Sequence, residues 1–359
     1  MRKQSKWNEE TKQMKCGNKV NDIKKQRHVM DIKQEWKEKG YVDEAVDGSL
    51  DLKAEIRRLC REKNAVILAH YYTVGDIQDV ADFVGDSLAL ARKAAETDAR
   101  VMVMCGVHFM AETCKLLSPE KTVLCPDLTA GCSLADSCRA EDLRRFKEEH
   151  PGYQVVSYVN TTAAVKALTD CVVTSGNAKR VIDSFPADAK IIFGPDRNLG
   201  NYINSVTGRD MLLWNGGCHV HEKFSVDEIV KLRRLHPHAV VMAHLECRGP
   251  VLDLADVKGS TAAMLDYAQA HPEVDEYIVA TEAGILHELQ RSCPAARFHP
   301  VPPEVSEGGL GCSCNECEYM KKNTLRKVYL TLKYGWPAVE VDPAIAADAV
   351  KPIERMLEL

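Results

Sequence analysis

From Asn64 onward the chain is a succession of short apolar runs separated by segments with helical spacing of apolar positions. The runs Ala65–Ala69, Val101–Met104, Val123–Cys125, Val155–Val159, Cys171–Thr174, Ile191–Phe193, Met211–Leu213, Ala239–Ala243, Tyr277–Ala280 and Arg297–Pro300 read as strands. Most are apolar at nearly every position, not at alternate ones. That suits strands covered on both faces, joined in parallel through helical crossovers. The stretch 50–63, LDLKAEIRRLCREK, places Leu50, Leu52, Ile56, Leu59 and Cys60 at mostly helical spacing, so an amphipathic helix leads into the first strand.

The pattern repeats three times. The segments VILAHYYTVGDIQDVADFVGDSLALARKA, VVSYVNTTAAVKALTDCVVTSGNAKRVID and VVMAHLECRGPVLDLADVKGSTAAMLDYA each begin with an apolar strand. Each strand ends in a polar cluster: His70-Tyr71-Tyr72, Tyr158-Val159-Asn160 or His244-Leu245-Glu246. A helical stretch and a short apolar segment follow. Then comes a small turn with a serine that opens another helix: Gly85-Asp86-Ser87, Thr174-Ser175-Gly176 or Gly259-Ser260-Thr261. The serines are 88 and 85 residues apart, a period too long for a solenoid. The pattern predicts an α/β protein of three similar small domains with parallel sheets, related by pseudo-threefold symmetry. The boundaries it gives are a charged N-terminal extension at 1–49, domains at 50–150, 151–237 and 238–323, and a C-terminal helical segment at 324–359.

The chain of 359 residues is long enough for several packed units. Its net charge of −5 gives no reason to expect nucleic acid as a partner. No apolar run approaches the ~18 residues of a membrane span. The N-terminal MRKQSKWNEETKQMK lacks the apolar stretch of a secretory signal, so the expected location is the cytoplasm. Residues 1–40 carry 12 Lys/Arg against 6 Asp/Glu with little apolar periodicity, which reads as a solvated extension or a docking arm.

Cysteine changes this ordinary picture, because there are 14. In a large cytosolic protein they are packing residues, metal ligands or catalytic thiols before they are disulfides. Cys60, Cys105, Cys114, Cys171, Cys247 and Cys293 sit in apolar or helical contexts and read as packing residues. The repeat selects three others. Cys132 follows Ser87 by 45 residues, Cys218 follows Ser175 by 43, and Cys317 follows Ser260 by 57, after a Pro/Gly-rich insertion. Three equivalent loops around one axis would bring three thiolates together at the central junction. A structural zinc site wants four ligands, whereas a [4Fe–4S] cluster held by three cysteines leaves one iron open as a Lewis acid. Cys312 and Cys314 could form a redox-sensitive pair beside it.

The blocks AHYYTVGDIQDVADFVGDSLALAR, FMAETCKLLSPEKTVLCPDLTAGCSL, GPDRNLGNYI, NGGCHVHEKF, AHLECRGPVLDLADVKGST and CEYMKKNTL resemble the quinolinate synthase A family, in order, from about Asn64 to the C-terminus. The resemblance implies condensation of iminoaspartate with dihydroxyacetone phosphate to quinolinate, phosphate and water in de novo NAD biosynthesis. It also implies three α/β domains around a [4Fe–4S] cluster, and it carries the ligand role onto Cys132, Cys218 and Cys317. An aspartate-oxidising flavoenzyme is the implied source of the labile imine.

Substrates dense in carboxylate and phosphate call for a locally positive site. Helix N-termini with hydroxyl donors from Ser87, Ser175, Ser260 and Thr261 would supply one, although each serine could equally be a plain N-cap. On family motifs, proton transfer falls to Tyr72 and Glu246 with His244 among the catalytic candidates; His70, Tyr158, Asn160, His221 and His244 would orient the substrates. Two alternatives stay open: another hydro-lyase with an open-iron cluster acting on a hydroxy acid, and a non-catalytic iron–sulfur or zinc sensor of oxygen or redox state.

Overall fold

The structure is a computed structural model that describes residues 34–304 and 315–359. It holds three four-stranded sheets, and every strand pairing within them is parallel. The first is built from β1 (Ala65–His70), β2 (Phe83–Gly85), β3 (Val101–Cys105) and β4 (Thr122–Leu124). The second contains β5 (Gln154–Tyr158), β6 (Cys171–Val173), β7 (Ile191–Phe193) and β8 (Leu212–Leu213). The third contains β9 (Val240–His244), β10 (Val257–Gly259), β11 (Glu276–Ala280) and β12 (Arg297–Pro300). Strand order is the same in all three, with the second strand at the edge and the first inside it: β2-β1-β3-β4, β6-β5-β7-β8 and β10-β9-β11-β12. The expected set of three small α/β units is therefore present.

The ten strands read from apolar runs all exist. β2 and β10 are new. They are three-residue edge strands, FVG and VKG, too short and too glycine-tipped to stand out from the turns that follow. The central strands are apolar at successive positions because helices cover both faces, and Ile67, Leu68, Ala69, Val155, Val156, Val241 and Met242 are all buried. The amphipathic helix Leu52–Lys63 is capped by Asp51, whose side chain accepts from the Ala54 N–H at 3.1 Å, and it buries Ile56 and Leu59.

The described segments that flank the three sheets pack against them. Helix Leu325–Tyr334 packs on helix Leu52–Lys63, and helix Pro343–Glu358 packs on β6 and helix His108–Leu117. The picture of a solvated extension fails for the part that is described. Trp36 and Val42 are buried against Leu330, each worth about 2 kcal/mol of apolar burial. Two apolar side chains in a charged stretch have no periodicity to betray them. Residues 1–33 and the Cys312/Cys314 pair lie outside the described residues. Among the described residues no helix is long and apolar enough to cross a membrane.

Candidate active site

Strand register gives the residue equivalences directly. His70 pairs with Gly85, Tyr158 with Val173 and His244 with Gly259. His70, Tyr158 and His244 are thus one position seen three times, and Tyr72, Asn160 and Glu246, two residues on, are another. Two residues beyond the edge-strand partners come Ser87, Ser175 and Thr261. All nine line a single pocket, together with His221 and with Cys132, Cys218 and Cys317. The carboxyl ends of parallel strands converge on it, as open α/β sheets place their ligands.

Ser260 is the exception among the proposed site residues. It stands one residue out of register, and its hydroxyl caps helix Thr261–Ala270 by accepting from the Ala263 N–H at 3.3 Å. Asp86 does the same for helix Ser87–Glu96, accepting from the Ala89 N–H at 2.9 Å. Ser260 instead borders a surface cleft outside the pocket. The expectation of three helix ends is also corrected: in the second domain the helix starts only at Ala178, and Ser175 lies in the turn before it.

A chain of hydrogen bonds runs through the pocket wall. The Tyr72 hydroxyl lies 2.7 Å from Thr281 Oγ1, which lies 2.9 Å from His221 Nε2. His221 Nδ1 is 3.1 Å from Glu246 Oε2 and 3.1 Å from Cys218 Sγ. The Tyr158 hydroxyl donates to Glu246 Oε1 at 2.6 Å. A nitrogen set between a carboxylate and a sulfur carries a proton, so Nδ1 donates. Burial would raise the Glu246 carboxyl, but the His221 and His244 rings and the Tyr158 hydroxyl outweigh it and hold it well below the usual carboxylate range. Burial pushes the Tyr72 and Tyr158 phenols well above their ordinary values, so both stay protonated.

His70 and His244 are held alike. His70 Nδ1 accepts from the Tyr72 N–H at 3.1 Å, and His244 Nδ1 accepts from the Glu246 N–H at 3.3 Å. Burial pushes the two rings down to about 3 and about 4. Both are neutral imidazoles with Nε2–H as the remaining donor. Asn160 Oδ1 is buried without a partner, an acceptor left over in the pocket wall.

The cysteine loops share one backbone pin. The N–H of His108, Arg197 or Ala283, each two residues beyond the place that register sets opposite His70, Tyr158 or His244, donates to the carbonyl of Ala130, Gly216 or Asn315 at 2.8, 2.8 and 3.1 Å. Each carbonyl lies two residues before the cysteine. Equivalence of Cys132, Cys218 and Cys317 thus rests on register, although the serine-to-cysteine spacings differ. Cys60, Cys105, Cys114, Cys171, Cys247 and Cys293 do not line the pocket. Burial pushes the Cys132 thiol up to about 12 and raises Cys218 and Cys317, each further raised by neighbouring negative charge. Three sulfur donors on the wall of one pocket are a set that fits a metal centre, whose positive charge would hold them as thiolates. Cys218 Sγ, His221 Nδ1 and a Glu246 oxygen also lie within 4.8 Å of one another.

Sequence reasoning missed Thr281, Asp196 and Glu282. All three are buried one to three residues beyond the third strands, where a polar residue soon after an apolar run was the available signal. Burial and the charge of Glu246 raise the Asp196 carboxyl to about 8, against the pull of three backbone N–H donors.

The family model described as "Quinolinate synthetase A protein" matches residues 54–358. A quinolinate synthase of Nostoc sp. is 52% identical over 310 residues, 86% of this chain and 94% of the relative. Those of Chloroherpeton thalassium and Microcystis aeruginosa are 52% and 50% identical over 86% of this chain and 95% of theirs.

Proposed function

The chain belongs to the quinolinate synthase A family, and on that premise we propose that it condenses iminoaspartate with dihydroxyacetone phosphate to quinolinate, phosphate and water in NAD biosynthesis. It is an enzyme of the quinolinate synthase kind. The observation that carries the reading is the convergence of three sets of symmetry-equivalent polar residues and three pinned cysteines on one pocket.

Cys132, Cys218 and Cys317 would hold a [4Fe–4S] cluster. When bound, the cluster supplies a Lewis-acidic iron, free of a protein ligand, for a hydroxyl or carboxylate oxygen. The rest of the work falls to side chains. The Nε2–H groups of His70 and His244, the Asn160 amide and the hydroxyls of Ser87, Ser175 and Thr261 bind the carboxylates and phosphate. The amino ends of helices Ser87–Glu96 and Thr261–Ala270 add their partial positive charge. Glu246, ionised, accepts protons, and Tyr72, held protonated, donates them. Eleven cysteines are unpaired among the described residues, in keeping with a reducing compartment, and we place the enzyme in the cytoplasm. A flavoenzyme that oxidises aspartate is the expected source of the imine, which water hydrolyses.

Quinolinate formation tests the reading. The protein is reconstituted with iron and sulfide without oxygen and given both substrates, with iron and sulfide counted on the same sample. Quinolinate with about four irons per chain is expected. A full cluster without quinolinate would point to a hydro-lyase of another substrate. Zinc in place of iron would turn the reading toward a mixed Cys218/His221/Glu246 site.

The register separates Ser260 from its neighbours. Ser260→Ala is expected to lower stability by about 1 kcal/mol through loss of its cap and to leave KM unchanged. Ser175→Ala and Thr261→Val are expected to raise KM for dihydroxyacetone phosphate about tenfold, the worth of a hydrogen bond to a charged group. Equal KM effects at all three positions would return Ser260 to the pocket.

A further inference from the structure

The three cysteine loops share the backbone pin but not what lies beside it. The residue preceding each pin is Val107 in the first domain, Asp196 in the second and Glu282 in the third. Asp196 and Glu282 are fully buried. Asp196 Oδ1 caps helix Arg197–Thr207, accepting from the N–H groups of Asn198 at 2.7 Å and Leu199 at 2.9 Å, while Oδ2 accepts from the Cys218 N–H at 3.1 Å. Glu282 Oε2 accepts from the Gly284 N–H at 2.6 Å, while Oε1 accepts from the Cys317 N–H at 2.9 Å and from the Lys321 ammonium at 2.7 Å. In both domains one oxygen is tied to the chain that follows the third strand, and the other takes the amide of the cysteine itself.

We propose that Asp196 and Glu282 are positioning residues that fix the Cys218 and Cys317 loops for the metal centre. A carboxyl group is costly to bury unless its oxygens are hydrogen-bonded, and here both oxygens of each are, at two equivalent positions, with one of them on the amide of a pocket cysteine. The consequence is geometric. Each carboxylate fixes a cysteine backbone on the wall of a rigid sheet end, so the sulfur is already in place when the metal arrives. In the first domain Val107 offers no acceptor, so the Cys132 amide has no such carboxyl partner.

The inference rests on the reading that these cysteines hold a metal centre, and its test separates the two. Wild type, D196N and E282Q are reconstituted without oxygen, and iron is counted. Release of iron to a chelator is then followed by loss of visible absorbance. Asparagine still caps the helix through Oδ1 but turns an amide N–H₂ toward the Cys218 N–H. Glutamine removes one of the two acceptors of Glu282. Both variants are expected to release iron about ten- to a hundredfold faster than wild type, the usual effect of removing a residue that orients a metal ligand. The reduced cluster should give an altered electron paramagnetic resonance signal. The cluster-free variants should melt somewhat lower, since each loses a buried hydrogen bond, but a purely structural role would stop there and leave iron release and the spectrum as in wild type. If one variant fails to fold, the other decides. Wild-type release rates and spectra in both variants would overturn the proposal. A wild-type protein that takes up no iron would instead overturn the metal-centre reading.

Discussion

Cys132→Ala, Cys218→Ala and Cys317→Ala are each expected to lose bound iron and to lower quinolinate formation by at least ~100-fold, whereas Cys114→Ala is not. Removing a residue that merely orients a ligand already costs about ten- to a hundredfold in metal affinity, so removing the ligand itself should cost more. Nothing nearby replaces the missing sulfur cleanly. His221 Nδ1 sits 3.1 Å from Cys218 Sγ but is engaged with Glu246, and among the described residues no side chain hydrogen-bonds the sulfur of Cys132 or Cys317. Cys114 is buried in the core around helix His108–Leu117 and does not line the pocket. Its replacement should cost about 1 kcal/mol of stability and leave iron content and turnover near wild type. Iron per chain, visible absorbance and quinolinate yield on the same samples make the comparison. Full iron content in any of the three pocket variants would remove that cysteine from the ligand set.

The trio shows what a sequence can carry. The apolar runs, their order and the threefold repeat are local patterns, and the sheets follow them because buried parallel strands need apolar residues at every position. Cys132, Cys218 and Cys317 were legible because each lies about one sheet beyond a repeated turn. The serines show the limit. The alignment matched Ser87 and Ser175 with Ser260, but register pairs His244 with Gly259 and so puts Thr261 in the equivalent place. A one-residue shift in a turn leaves the sequence pattern intact and exchanges a pocket donor for a helix cap.

Thr281, Asp196 and Glu282 were illegible for a different reason. Their partners lie far off in sequence. Thr281 meets Tyr72 across 209 residues and His221 across 60, and Glu282 reaches Cys317 across 35. No periodicity marks such pairs. They exist only once three sheets present their carboxyl ends to a common pocket. The burial of Trp36 and Val42 against Leu330 is the same kind of contact, made between segments nearly 300 residues apart.

Glu246→Gln is expected to lower kcat about 10²–10⁴-fold with iron content unchanged, the range that a positioned proton-transfer group contributes. Glu246 is the acceptor for two donors, the Tyr158 hydroxyl at Oε1 and His221 Nδ1 at Oε2. Glutamine keeps the shape but must turn its N–H₂ toward one of them, so one hydrogen bond becomes a donor–donor contact. The charge that takes up protons is lost at the same time. Tyr72→Phe removes the far end of the same chain, the hydroxyl 2.7 Å from Thr281 Oγ1, and leaves the aromatic packing in place. Turnover within threefold of wild type at full iron content, in either variant, would take that residue out of the chemistry. The double variant distinguishes a chain from two separate groups. If Tyr72 and Glu246 act through Thr281 and His221 as one unit, losing both should cost little more than the worse single loss, because residues that act together are not additive. A loss equal to the product of the two would mean that each transfers its own proton, and that the bonds through Thr281 and His221 hold the pocket in shape without linking the two ends.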